Sequence, residues 1–184
     1  GLLAGRVGAA PVELPATALG THWYTISILG QRSGWSEQSL RRTPTGYETL
    51  ERTVLRVSLD GRSLTSARNE TRCYDDTLRL LSVENEADQV GRRVRVVARR
   101  EGDRLLVTRT SPDGETRQEL AVGERFGQDL HILQALAAGE VKPGWQFVFE
   151  TFDCDLGQVD EITVTATERL TAPEPGWLLG AQSK

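Results

Sequence analysis

The sequence is distinctive first for the residue types it lacks or uses sparingly. Its 184 residues include no methionine, two cysteines and two histidines, and only Lys142 and Lys184 among its basic residues are lysine. Because the chain begins at Gly1 rather than at methionine, we expect it to be a processed or trimmed piece of a longer protein. With 38% hydrophobic and 26% charged residues, the composition excludes both a disordered chain and a membrane-embedded one.

Long apolar runs are also absent. No stretch approaches the roughly 20 apolar residues that span a bilayer, so we expect no transmembrane segment. The formal net charge of −4 argues against a general nucleic-acid binder, which needs a basic surface. The length fits one domain, and a globular chain of this size buries roughly 70% of its unfolded surface.

The motifs that announce common chemistries are missing as well. The sequence contains no Cys-x-x-Cys pair, no phosphate-binding glycine loop, no His-Glu-x-x-His and no Gly-x-Ser-x-Gly. The acidic residues around Gly157 lack the regular alternation of a calcium-binding loop, and a solvated hairpin tip explains them better; they are Asp153, Asp155, Asp160 and Glu161. We therefore predict no enzyme, no cofactor and no metal site.

With two cysteines and two histidines, the sequence offers few candidates for a catalytic nucleophile and its base. Cys73 and Cys154 can form one disulfide in an exported protein, or can be two small buried hydrophobic residues; both alternatives stay open. Cys154 lies between two aspartates, whose charges would raise the pKa of its thiol. His22 and His131 have no local partner that would activate a cysteine, and His131 is best interpreted as structural.

Alternating polar and apolar residues, joined by tight turns, predict an antiparallel meander. Turn signals such as Asp60-Gly61 and Pro112-Asp113-Gly114 separate the runs. After a first strand around Tyr24 to Ile28, the predicted strands are Trp35 to Arg42, Tyr47 to Leu59, Leu64 to Tyr74, Leu78 to Ala87, Val94 to Ala98, Leu105 to Thr110, Thr116 to Val122, Trp145 to Phe152 and Gln158 to Leu170.

One segment has helical rather than strand periodicity. Leu130, Leu133 and Ala137 recur at helical spacing, and Gly139 suits a C-terminal cap. A single-layer sheet needs a cover for its apolar face, so this helix, near residues 128–138, can fill the concave side. The fold class predicted is mainly β with one helix (α+β), a strongly curved antiparallel sheet that forms a half-barrel around the helix.

The two ends of the chain differ from the body in composition. Residues 1–20 are rich in glycine and proline without sustained periodicity, and residues 171–184 begin with a second proline-containing stretch. We interpret 1–20 as a lead-in segment, 21–170 as a single β-rich domain and 171–184 as a C-terminal tail, within which Trp177-Leu178-Leu179 can dock on the body.

Arginines are concentrated on the predicted strands from residue 92 to 109. Arg93, Arg95 and Arg99 share one strand face, and Arg104 follows on the next strand. This basic patch can bind a phosphate-bearing or acidic partner, but no aromatic residue offers a stacking platform for bases. Glutamates on adjacent strands would neutralise much of it, and a solvated strand face is the alternative interpretation; they are Glu84, Glu86 and Glu119.

The large apolar residues fall on the first two strands, the helix and the penultimate strand. A meander that closes would bring these segments together, where they form core or line a groove for a lipid or other apolar ligand. The candidate groove residues are Trp23, Trp35, Leu133, Trp145, Phe147 and Phe149.

Two segments carry a family resemblance. The run from Trp23 to Trp35, with its Gly-x-x-x-Gly turn, and the run from Arg41 to Thr49, with Gly46-Tyr47 opening a long polar strand, resemble the β-rich domain N-terminal to the catalytic core of bacterial transglutaminase-like proteins. The later strands and single helix resemble the half-barrel of periplasmic lipoprotein carriers. The resemblance covers roughly residues 21–170 and carries over no catalytic residue.

The resemblance implies an exported, non-catalytic accessory or binding domain in the periplasm or outside the cell, its export signal removed. Such a domain would position a partner, either a downstream catalytic domain with its own Cys, His and Asp or a component of the cell envelope. The alternative is a periplasmic carrier that holds a lipid or other apolar ligand between sheet and helix.

Overall fold

A computed structural model describes residues 10–28, 30–59, 62–89, 91–170 and 176–183. Within them the chain is mainly β with one helix, as the sequence predicts. A short 3-10 helix at Ala16–Ala18 precedes eight strands: β1 Gly20–Ile28, β2 Gln31–Thr43, β3 Gly46–Leu59, β4 Arg62–Asp75, β5 Leu80–Gln89, β6 Arg92–Glu101, β7 Arg104–Ser111 and β8 Gly114–Ala121. The helix α1, His131–Ala137, and three strands follow: β9 Gln146–Asp153, β10 Gln158–Leu170 and β11 Gly176–Ser183.

The strands form two sheets. A large sheet contains β1 to β8 in chain order, every neighbouring pair antiparallel, and a small sheet has the order β11-β10-β9. The meander therefore ends at β8 and does not continue into β9, so the large sheet is not closed. The segment between β8 and β9 carries the chain across the concave face of the large sheet, where α1 lies. We call that face inner and its opposite outer.

The strand β11 was not predicted from the sequence. It pairs antiparallel with β10, from Ile162 opposite Ser183 to Leu170 opposite Gly176. The division into lead-in, domain and tail stays a prediction, and the side chains of Trp177, Leu178 and Leu179 lie outside the described residues. Part of the lead-in segment packs on the body, since Leu14 is buried and its backbone N–H donates to the Tyr47 hydroxyl at 2.9 Å.

The helix is shorter than predicted and joins two hydrophobic clusters. Leu130, at its N-cap, and Leu133 pack into the main core. Ala135 and Leu136 belong to a second cluster with Val141, Trp145 and Ala166, which lies against the small sheet. The main core fills the inner face of the large sheet with large buried side chains, among them Tyr47, Tyr74, Leu80, Leu105, Phe126 and Phe152.

A glycine fixes the path of the segment that leads into α1. Gly127 has φ +67°, and a Cβ there would lie 2.0 Å from the Leu80 Cβ. Its carbonyl accepts from the Leu80 N–H at 3.2 Å, while its own N–H donates to the Glu150 carbonyl at 2.7 Å. The segment can therefore cross between β5 and β9 only because residue 127 has no side chain. No helix among the described residues is long and apolar enough to span a bilayer.

Candidate functional site

A groove of about 610 Å³ lies between the inner face of β1 to β4 and the start of α1 with β9. Its volume is in the range of small-molecule sites, roughly 300–1,000 Å³. Its wall is apolar where Leu40 of the large sheet faces Leu130, Leu133 and Phe149. Tyr24 also lines the groove and is 50% exposed, so the groove opens to solvent near β1.

The floor of the groove is charged and buried. Glu70 of β4 is 8% exposed and lies between two arginines of the same strand face, with Arg72 Nε at 2.7 Å and Arg68 Nη2 at 2.5 Å from its carboxylate oxygens. Asn85 of the neighbouring strand also donates to Glu70, at 3.1 Å. Burial alone would raise the pKa of Glu70, but the two arginines lower it to about 2. Glu70 is therefore a carboxylate at neutral pH.

The same two arginines connect the large sheet to the small one. Arg72 Nη1 donates to the Thr151 hydroxyl at 2.7 Å, and its Nη2 reaches the Phe152 carbonyl at 3.4 Å. Arg68 pairs with Asp155, in the turn after β9, at 3.1 Å. The row formed by Arg68, Glu70, Arg72 and Asp155, which we call the inner charge row, contains two cations and two anions and is neutral.

Asp129 stands beside this row at the start of α1. The Tyr74 hydroxyl donates to its Oδ2 at 2.8 Å, and its buried Oδ1 has no hydrogen-bond partner among the described residues. Burial, with the carboxylate of Asp129 adding to it, raises the pKa of Tyr74 well above its ordinary value. Tyr74 is thus a neutral donor that fixes the start of the helix over the charged floor.

The six predicted groove residues divide into three sets. Leu133 and Phe149 line the groove. Trp145 stacks on Phe147, with centroids 5.9 Å apart, and packs in the second cluster. Trp23 and Trp35 lie on the outer face, with ring centroids 5.2 Å apart. The expectation that all six line one groove is wrong for Trp23 and Trp35, because the large sheet does not close and β-strand alternation points them away from Leu40. Trp145 and Phe147 do not line the groove either.

Sequence reasoning missed the residues of the groove floor, although a signal was present. Arg68, Glu70 and Arg72 share the parity of buried Tyr74 along β4, so period-two alternation places them on the inner face. Three charged side chains on a core-facing row indicate a buried ion-pair network, since an isolated charge there would be costly. Tyr24 and Leu40 were not predicted to line the groove. Their place in it depends on which residues of β1, β2 and β3 lie opposite each other, and the sequence does not specify that register.

The predicted basic patch forms on the outer face, together with its carboxylates. Arg95 pairs with Glu84 at 2.5 Å, Arg104 with Glu119 at 2.7 Å, and Arg93 with Asp88 at 3.7 Å. Arg99 has no such partner among the described residues. Arg93 and Arg95 also line an outer hollow of about 470 Å³, with Glu86 and Asp88. The predicted neutralisation by glutamates is thus seen for Arg95 and Arg104.

The cysteines are unbonded and lie in different surroundings. Cys154 is buried, whereas Cys73 is half-buried on the outer parity of β4. Burial raises the pKa of the Cys154 thiol to about 12, with Glu70 contributing in the same direction. The thiol is therefore protonated at neutral pH, for a reason other than the flanking aspartates that the sequence suggested. His22 lines the groove, and His131 contacts Gln134 through Nδ1 at 3.1 Å.

The acidic residues around Gly157 are engaged in local contacts. Asp153 Oδ1 accepts from the backbone N–H groups of residues 155 and 156, at 2.7 and 2.9 Å. Asp160 accepts from Gln158, and Glu161 pairs with Arg125 at 2.9 Å. No cluster of three or more potential metal ligands occurs in the described part of the chain.

Comparison with known proteins gives a fold and no family. No family model matches the chain, and no curated protein matches it. Among solved structures, it is similar to a β-barrel-like protein of the domain of unknown function DUF1849 from Brucella abortus, with a TM-score of 0.55 and 19% identity. The alignment covers 77% of this chain and 60% of the Brucella chain, so this chain spans less than two thirds of its neighbour's length. The likeness supports a β-rich, barrel-like fold.

Proposed function

We propose that the chain is a non-catalytic binding domain whose ligand is a lipid or another amphipathic molecule with an apolar chain, held in the groove between the large sheet and α1. The observation that carries this proposal is the groove itself. A soluble domain normally fills the space between a sheet and its covering helix with side chains. Here a volume of about 610 Å³ remains between Leu40, Leu133 and Phe149.

The two surfaces of the groove favour a ligand with two different parts. An apolar chain would shield the half-buried Leu133 and the exposed Tyr24 from water, which contributes roughly 25 cal/mol for each Å² buried. Leu130 and Phe149 are already buried and would add packing contacts. The floor offers Glu70 and Arg72, which already satisfy each other's charge. An isolated charge on the ligand therefore gains little there, and a neutral or zwitterionic polar group fits better than a single strong charge.

The ionisation states of the buried side chains in and near the groove favour binding over catalysis. A cysteine nucleophile acts as the thiolate, and the pKa of about 12 keeps Cys154 protonated. Glu70 is held as a carboxylate by two arginines, which makes it a poor proton acceptor at neutral pH.

The proposal is tested with a fluorescent zwitterionic lipid, NBD-labelled lysophosphatidylcholine, titrated into the purified protein, and with native mass spectrometry after gentle purification. We expect saturable binding and a lipid-sized adduct. Leu133→Gln should weaken binding of the probe about tenfold or more, because it places a polar group on the apolar wall. Leu81→Gln is the matched control, since Leu81 is 43% exposed and does not line the groove.

Two results would count against the groove as a ligand site. One is the absence of both probe binding and a native adduct from the folded protein. The other is equal weakening by Leu133→Gln and Leu81→Gln, which would mean that the probe binds exposed apolar surface in general. Circular dichroism of both variants establishes that each is folded before the comparison is made.

An accessory role is the second candidate. The resemblance to the domain that precedes transglutaminase-like catalytic cores is carried by the hairpin of β1 and β2 and by the start of β3. It supports an exported, periplasmic or extracellular domain that positions a downstream catalytic domain or an envelope component. The intact reading frame tests it: a following segment with a helix-borne Cys, then His and Asp, is expected, and a frame that stops near Lys184 would refute that arrangement.

A further inference from the structure

Exposed apolar side chains are concentrated at one end of the large sheet. Seven large hydrophobic side chains are exposed among the described residues, and four of them lie on β1 or near the end of β3. These four are Trp23 at 63%, Tyr24 at 50%, Ile28 at 41% and Val57 at 39%. Such a concentration in one place marks an interaction surface, whereas single exposed apolar residues need no explanation.

The described residues of the two hairpins that carry these side chains adjoin each other on β2 and β3. The pairing of β2 with β3 begins at Gly34 opposite Leu55, and β3 turns into β4 at Leu59 opposite Arg62. A surface hollow is lined jointly by Arg32 and Trp35 of β2 and by Val54 and Arg56 of β3. Arg32 and Trp35 also line a second hollow with Trp23 and Tyr24 of β1, so described residues of β1, β2 and β3 form one continuous surface. We call this surface, with the adjoining strand residues Ile28, Val57 and Arg62, the hairpin end.

The hairpin end is apolar on both sides of the sheet. Trp23 and Trp35 are on the outer face, with rings 5.2 Å apart, and Tyr24 and Val57 have the strand parity of the inner face. A protein partner that covers one face of a sheet would leave the other face exposed. A medium that surrounds the hairpin end from both sides would cover all four residues at once.

The charges of the hairpin end have one sign in the described part of the chain. Arg32, Arg56 and Arg62 are exposed, and none of their side chains has an ion pair or hydrogen bond within the described part of the chain. Most other exposed arginines are paired with carboxylates, such as Arg41 with Glu48 at 2.6 Å. The three arginines give the described residues of the hairpin end a formal charge of +3, and the sequence has one acidic residue, Asp60, between β3 and β4.

We propose that the hairpin end docks on an anionic phospholipid surface. Tryptophan and tyrosine partition to the boundary between headgroups and acyl chains, where one end of the ring is apolar and the other is wet. Arginines close to an anionic leaflet each add roughly fivefold to the affinity. The net charge of −4 belongs to the whole chain, and beyond about 10 Å salt screens the acidic remainder from the membrane. This surface is separate from the groove floor, and the proposal does not require a groove ligand.

The test is co-sedimentation of the full chain with vesicles that contain 30% phosphatidylglycerol in phosphatidylcholine, beside vesicles of phosphatidylcholine alone. We expect binding to the anionic vesicles that weakens as the salt concentration is raised from 0.1 to 0.5 M. The variant Arg32→Gln/Arg56→Gln/Arg62→Gln should lose affinity on the order of a hundredfold. Trp23→Ser should weaken binding severalfold without removing its salt dependence.

The matched control is Arg95→Gln/Arg104→Gln/Arg117→Gln, which makes the same change in net charge. Its three arginines are exposed and paired with carboxylates on β5 and β8, so this variant should bind as the unmodified chain does. Equal loss in both triple variants, or no binding of the unmodified chain at 0.1 M salt, would overturn the proposal. So would light scattering that shows a dimer dissociated by Trp23→Ser, because the surface would then join two copies of the chain.

Discussion

The protein holds two groups of arginines that differ in their surroundings. Arg68 and Arg72 lie on the inner face, where their side chains are 33% and 17% exposed, and both pair with the buried carboxylate of Glu70. Arg95 and Arg104 lie on the outer face, more than half exposed, and each pairs with a glutamate on a neighbouring strand at a similar distance. The distances alone do not separate the two groups.

The difference is in what surrounds each pair. On the outer face water screens the charges, and an exposed ion pair contributes little. On the inner face the partners have lost their hydration, so removing one of them leaves an uncompensated charge in a medium of low polarity. The inner charge row also joins β4 to β9 through Thr151 and Phe152. We expect the position of the small sheet, and with it the groove, to depend on this row.

The largest effect on stability is expected when one charged partner of the inner charge row is removed. Arg72→Ala should lower the free energy of unfolding by about 3–5 kcal/mol, because Glu70 then keeps its charge with one cation fewer and the link to Thr151 is lost. Urea denaturation followed by tryptophan fluorescence measures the change. The double variant Glu70→Met/Arg72→Met should recover part of the loss, since replacing both partners by apolar groups avoids the stranded charge. A double variant less stable than Arg72→Ala would contradict this account.

The next largest effect is expected when the pH is lowered. The pKa of Glu70 falls from an ordinary 4.5 to about 2 on folding, so Glu70 contributes stability above pH 4.5 and loses it as the pH falls towards 2. A depression of that size corresponds to roughly 3 kcal/mol. The stability advantage of the unmodified chain over Glu70→Gln should therefore shrink between pH 4.5 and 2, as measured by urea denaturation at each pH. An advantage that stays constant across that range would show that Glu70 has a similar pKa in the folded and unfolded chain.

Much of the fold could be predicted because alternation along a strand is a local property. Val94, Val96 and Ala98 alternate with Arg93, Arg95 and Arg99, and this pattern correctly placed the three arginines on the same face of the strand. The same rule applied to β4 would have placed Arg68 and Arg72 inside. The split into two sheets could not be predicted, because it depends on where the segment around Gly127 crosses the large sheet, and no local pattern encodes that crossing.

The groove was predicted only in part for the same reason. Leu133 and Phe149 come from segments whose burial follows from their own sequence, and both line it. Trp23 and Trp35 were included on the assumption that the sheet closes, which places distant segments against each other. Whether a sheet closes depends on tertiary geometry. Size and hydrophobicity alone therefore cannot show whether two residues line the same groove or lie on opposite faces of one sheet.

The smallest effect is expected on the outer face. Arg104→Gln should change the free energy of unfolding by less than about 1 kcal/mol, because Arg104 and Glu119 are both more than half exposed. A double-mutant cycle with Glu119→Gln isolates their coupling, which should decrease further in 0.5 M salt. A coupling of several kcal/mol that survives the salt would mean that this pair is shielded from water, and the contrast between the two groups of arginines would fail. A small, salt-sensitive coupling would leave burial, rather than the distance between partners, as the property that separates them.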